Sequence, residues 1–134
     1  MKVIRIDDMN IKVIDETFFK GIELVGKAVL VHTGWDKHWN TDQYFEDHPH
    51  LTRGAAEYLA ERKVAIVGID SMNIDCTRGK SRPVHSILLG ADIPIVEHLC
   101  NLHLLPERGF RFYAVPPKIK KMGSFPVRAF GELL

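Results

Sequence analysis

Apolar residues fall unevenly along the chain, and their spacing predicts the elements. Ala28 to Val31 is an unbroken apolar run bounded by Lys27 and Thr33-Gly34, the pattern of a buried strand. Val64-Ala65-Ile66-Val67-Gly68-Ile69-Asp70 carries the strongest strand pattern. Between these runs, Ala55, Ala56, Leu59 and Ala60 recur at the helical period behind Thr52, a residue suited to an N-cap, which predicts a helix to about Arg62. A helix followed by a buried strand implies α/β layering. Nearer the start, Val3 to Ile6 and Ile11 to Ile14 predict two short strands around a turn at Asp7-Asp8-Met9-Asn10, an arrangement compatible with a hairpin. Asp15-Glu16-Thr17 then predicts a capped helix to about Leu24, with Phe18, Phe19, Ile22 and Val25 inward and Gly26 as its end.

The second half is read in the same way. Ile87-Leu88-Leu89 predicts one or two helical turns stopped by Gly90, followed by extended chain over Ile93 to Val96. Leu102 to Pro106 predicts a short helix or turn. Phe110 to Val115 alternates as a strand closed by Pro116-Pro117, and Phe125 to Phe130 supplies the last strand. The polar stretch from Ser71 to Pro83, with Arg78, Lys80 and Arg82, reads as a solvated loop, a lid over an anionic substrate being the alternative. Lys118 to Lys121 lacks interleaved aromatics and reads as a solvated sheet edge, not a nucleic-acid contact.

Composition narrows the class. A chain of 134 residues, 46% hydrophobic and 26% charged, is one globular domain over residues 1–134. A formal net charge of +1 predicts neither a nucleic-acid nor a membrane partner. No apolar run approaches the ~20 residues of a membrane-spanning helix. Acidic residues at Asp7 and Asp8 interrupt any leader-like start. Cys76 and Cys100 form no Cys-x-x-Cys pattern, so both are expected as free thiols in a reducing, cytoplasmic setting.

Candidate chemistry lies in two places. Four of the seven histidines, His32, His38, His48 and His50, stand in or beside the polar, aromatic segment from Trp35 to Leu51. They are expected as rings solvated or packed on Trp35 and Trp39, with the two tryptophans equally at home in core or site. Asp70, at a strand end, suits either a site residue or a cap on the next turn. The stronger candidate is His85 with Glu97. A short helix, a turn and an extended return would bring this imidazole nitrogen and hard oxygen together, as a zinc or manganese site requires. A capped histidine and a salt-bridged carboxylate would show the same spacing.

Pro83-Val84-His85, then Leu88-Leu89-Gly90-Ala91-Asp92-Ile93-Pro94-Ile95-Val96-Glu97-His98-Leu99 and Asn101-Leu102, resembles the C-terminal signature of the cyclase family, metal-dependent hydrolases that include bacterial kynurenine formamidase. Val29 to Trp35 with Trp39 resembles the family's central strand and its Thr-Gly-Trp turn. Ala55-Ala56 with Leu59, and Val67-Gly68-Ile69-Asp70, resemble a helix and the following strand. Gly109 to Phe112, Pro116, Lys118 to Lys120 and Ser124 to Ala129 resemble the closing strands.

The resemblance implies a compact swivelling β/β/α-type α/β domain with a mixed sheet and flanking helices, truncated at its N-terminus relative to the family. It implies a divalent metal, zinc or manganese, that polarises the carbonyl of a small amide or formamide and lowers the pKa of a bound water. Residue by residue, it makes His85 the histidine ligand and Glu97 the carboxylate ligand of the C-terminal half, and gives His98 no ligand role. The family's His-x-Gly-Thr-His-x-Asp-x-Pro-x-His motif has no full counterpart. His32-Thr33-Gly34 departs at Trp35-Asp36, and Asp47-His48-Pro49 lacks the final histidine because Leu51 stands there. Two ligands fall short of the three or more that hold a catalytic metal, so hydrolysis is expected only if another chain or subunit completes the site. The alternative is a non-catalytic remnant that binds a small molecule or serves oligomerisation. Surface left open by the truncation predicts a homodimer or larger homo-oligomer.

Overall fold

The computed structural model describes residues 1–6, 8 and 10–134. The expected turn through Asp7 and Met9 lies outside the described residues. Among the described residues, eight strands and two α-helices follow in the order β1 (Lys2–Arg5), β2 (Val13–Ile14), β3 (Ala28–His32), β4 (His50–Leu51), α1 (Arg53–Glu61), β5 (Ile66–Ile69), α2 (Pro83–Gly90), β6 (Ile95–Val96), β7 (Phe110–Val115) and β8 (Arg128–Leu133). The central sheet has the order β1-β3-β5-β6, every pair parallel. A parallel pair β2-β4 and an antiparallel pair β7-β8 stand as separate two-stranded sheets. Parallel and antiparallel pairing are thus divided between sheets within one α/β fold.

A parallel sheet must be covered on both faces, and strand alternation divides the side chains accordingly. Ile4, Val29, Val31, Val67 and Ile69 join a core with Leu59 of α1 and Val84 and Leu88 of α2. Val3, Leu30 and Val96 join a second core with Leu99, Leu102 and Phe110. Register aligns Val3, Leu30, Gly68 and Val96 in one row across the sheet. Gly68 leaves the space that Leu30 and Leu99 fill, since a Cβ there would stand 2.9 and 2.6 Å from their methyl carbons.

The Thr52 cap is formed as read, its hydroxyl accepting the Ala55 N–H at 3.1 Å. Other expectations are corrected. The first two strands make no hairpin: β1 pairs with β3, and β2 with β4. The helix to Leu24 is only a 3-10 turn over Glu16–Phe19 capped by Asp15, because Lys20 is extended and Gly21 takes a left-handed φ of 76°. Val25, expected inward, is exposed. Gly90 belongs to α2, and the left-handed residue that stops this helix is Asp92, at φ 57°. Lys118 to Lys121 is exposed irregular chain between β7 and β8, not a sheet edge. The last strand starts and ends about three residues later than expected. No helix among the described residues is long and apolar enough to cross a membrane.

Candidate functional site

Three chain segments leave the carboxyl end of the central sheet side by side: Thr33-Gly34 after β3, Asp70 after β5 and Glu97 after β6. In open α/β sheets this is the edge where ligands bind. The Asp70 carboxylate is fully buried there. It accepts the Thr33 N–H at 2.9 Å, the Thr33 hydroxyl at 2.6 Å and the Gly34 N–H at 2.8 Å. Burial pushes its pKa up, and the donors from Thr33 and Gly34 oppose that shift. Asp70 therefore pins the corner after β3 and does not cap its own next turn. From that corner Trp35 turns inward, and its indole N–H donates to the Tyr44 carbonyl at 3.1 Å.

Helix α2 and strand β6 bring the expected pair together. His85 lies in the first turn of α2, and the chain reverses at Asp92 so that Glu97 follows β6 back to it. His85 Nε2 stands 3.4 Å from Glu97 Oε1, with the two side chains 29% and 23% exposed, enough for a small ion or molecule to reach them. Glu97 Oε1 also accepts the Ile74 N–H at 2.8 Å. On its other side, His85 Nδ1 lies 2.8 Å from Oδ2 of Asp75, a buried carboxylate.

Sequence reasoning missed Asp75 by treating Ser71 to Pro83 as solvated, yet Ser71, Ile74 and Asp75 are all buried. One signal pointed to it. Helix α2 begins Arg82-Pro83 with no capping side chain of its own, so its free N–H groups need an acceptor from elsewhere. Asp75 is the first carboxylate upstream.

Among the four clustered histidines, His48 corrects the expectation of solvated or tryptophan-packed rings. It is buried, with Nδ1 donating to the Pro49 carbonyl at 3.0 Å and Nε2 accepting from the Thr77 hydroxyl at 3.2 Å. Burial lowers its pKa. The Arg5 guanidinium donates to His32 Nδ1 at 3.0 Å, and His50 Nδ1 donates to the His48 carbonyl at 3.2 Å. His38 meets the edge of Trp35, with ring centroids 4.5 Å apart. His98 is not on a strand. Its φ of 57° turns the ring to Tyr44, whose hydroxyl lies 2.9 Å from Nδ1. Burial, reinforced by the Asp70 charge, pushes the Tyr44 pKa up to about 12, so the phenol keeps its proton. Trp39, 62% exposed, meets Tyr44 edge-on with centroids 5.1 Å apart.

The donor chemistry of the pair suits a divalent cation. A carboxylate only accepts, so His85 Nδ1 is the donor to Asp75 and Nε2 is the ring atom that faces Glu97. An imidazole nitrogen and a carboxylate oxygen this close are placed to pair directly or to share a cation. Two donors nevertheless make only part of a site, and among the described residues no group of three or more His, Cys, Asp or Glu is placed to hold a metal.

The chain is similar to known proteins in sequence and in structure. The family model described as "Putative cyclase" matches residues 8–76. An uncharacterized protein of Methanocaldococcus jannaschii is 33% identical over 106 residues, covering 78% of this chain and 53% of the relative. The kynurenine formamidase of Bordetella petrii is 32% identical over 91 residues, covering 68% of this chain and 41% of the relative. Among solved structures, isatin hydrolase A from Ralstonia solanacearum superposes with a TM-score of 0.85 at 25% identity, covering 99% of this chain and 60% of that one. The chain thus spans about half the length of the curated relatives it matches.

Proposed function

Because this chain belongs to the cyclase family, we propose that it is the metal-binding portion of a hydrolase acting on the C–N bond of a small amide or formamide, with His85 and Glu97 as two of the metal's protein ligands. The observation that carries the reading is the 3.4 Å approach of His85 Nε2 to Glu97 Oε1 at the carboxyl edge of a parallel sheet. A zinc or manganese ion, when bound, supplies the Lewis acidity that C–N hydrolysis near neutral pH needs. The chain's own part is to hold and aim the donors. The Ile74 N–H fixes Glu97, and the α2 backbone carries His85 against it. The remaining ligands come from chain outside these residues or from a partner subunit, so the isolated chain is expected to turn over no aryl formamide.

Two further properties belong to this reading. Exposed apolar side chains on β7 and β8, among them Val115, Phe130 and Leu133, support assembly into a homodimer or larger homo-oligomer. The unpaired cysteines Cys76 and Cys100 support a reducing, cytoplasmic setting.

Equilibrium dialysis of the purified chain against zinc or manganese, followed by elemental analysis, tests the ligand assignment. The expected result is bound metal in the wild type, lost in His85→Ala and in Glu97→Ala with the fold retained. A wild type that binds no metal, or variants that bind it equally, overturns the reading and assigns the domain to small-molecule binding or oligomerisation without catalysis.

A further inference from the structure

The carboxylate of Asp75 is enclosed by donors alone. Its Oδ1 accepts the Val84 N–H at 2.9 Å, and its Oδ2 accepts the His85 N–H at 3.0 Å and approaches His85 Nδ1 at 2.8 Å. Two of these three are backbone N–H groups, which can only donate, so the carboxylate is the acceptor in both. The third contact must then be an N–H as well, which places a proton on Nδ1. The same side chain also satisfies the first free N–H groups of α2, a helix whose own N-cap residue, Arg82, makes no capping bond. One buried carboxylate therefore fixes both where α2 begins and which ring nitrogen of its histidine donates to it.

We infer that Asp75 is the positioning residue of the site: by capping α2 and holding the Nδ1 proton of His85, it presents the Nε2 lone pair to Glu97 as a cation donor. The cation consequence rests on the reading of His85 and Glu97 given above, whereas the tautomer stands on the hydrogen bonds alone. The role of Asp75 is indirect. It acts through the imidazole, as outer carboxylates do when they orient metal-ligating histidines. The contact also has an energetic side. A charge-assisted bond from an imidazole N–H to a buried carboxylate is stronger than a neutral one, so it overrides the small intrinsic preference between the two ring tautomers.

Long-range proton–nitrogen correlation NMR on the full chain, well above the ordinary histidine pKa, reports the tautomer of His85 directly. The expected result is the Nδ1–H form in the wild type and a shift toward Nε2–H in Asp75→Asn, whose single acceptor oxygen cannot serve all three donors. A dominant Nε2–H form in the wild type, or an unchanged tautomer in a folded Asp75→Asn variant, overturns the assignment. If Asp75→Asn does not fold, the wild-type spectrum alone decides. Titration with Mn2+ supplies the second readout, as paramagnetic broadening of the His85 and Glu97 signals. Asp75→Asn is expected to need about 10–100-fold more Mn2+ for the same broadening. Equal broadening in the two proteins overturns the positioning role. Absence of broadening in a wild type that shows the Nδ1–H tautomer overturns the cation consequence together with the reading it rests on, a result separate from failure of the tautomer.

Discussion

Gly68 and His48 show how a single side chain, or the lack of one, is set by partners distant in sequence. At Gly68 the neighbouring leucine methyls already occupy the volume a Cβ would need. Gly68→Ala is therefore expected to lower stability by about 1–3 kcal/mol, read from denaturant midpoints at unchanged slope. His48 is buried neutral, with a folded-state pKa lowered from 6.5 by burial. The unfolded chain then binds the proton more readily, so this residue's contribution is complete above pH 6.5 and is lost as pH falls through the folded-state value. Thermal unfolding across that window should show a slope in the wild type that His48→Gln reduces. Neither feature could be read locally. The Asp47-His48-Pro49 segment looks like polar loop, and the buried ring meets Thr77, 29 positions on. His85 and Glu97 could be brought together on paper because one short helix, one turn and one strand join them, whereas Asp75 reaches His85 from a polar stretch where the uncapped start of α2 was its one signal.

Both helices end in the same way, in a left-handed residue that is not glycine. After α1, Lys63 at φ 51° donates to the Ala60 carbonyl at 2.9 Å, and Val64 to that of Leu59 at 3.4 Å. After α2, Asp92 and Ile93 repeat the arrangement onto Leu89 and Leu88. This is the Schellman closure, in which glycine relieves the steric cost of a Cβ. Lysine gains no local hydrogen bond there, so Lys63→Gly is expected to raise stability by about 1 kcal/mol in chemical denaturation. Asp92 does for α2 what Gly90 was expected to do, and the sequence is ambiguous because both residue types tolerate this conformation. The α1 start was legible because Thr52 caps its own helix. The region after Asp15 was not, since its apolar residues keep helical spacing while Gly21 breaks the backbone.

For the whole molecule, the α/β class followed from local patterns, but the pairing of strands did not. Parallel neighbours are joined through crossovers, and nothing in β1 itself specifies β3 as its partner. The β7-β8 pair has one face on the second core, through Phe110, Phe112, Ala114 and Ala129. Its other face carries Tyr113 stacked on Phe130 at 4.9 Å, with Tyr113 donating to Glu132 at 2.9 Å. If that face joins subunits, sedimentation velocity of the wild type should give a dimer or larger species. Phe130→Asp should then reduce it to the monomer mass with the helical signal unchanged. A monomeric wild type at micromolar concentration would falsify the assembly.

The all-parallel order of the central sheet has a kinetic corollary. Every pairing in it closes a long loop before any contact is gained, which places refolding on the order of milliseconds to seconds. Strand β6 pairs with β5, so the two donors are expected to meet late on that path. A cation that bridges them would stabilise the finished fold without steering its assembly. Zinc or manganese should therefore slow unfolding in stopped-flow traces while the refolding rate stays the same.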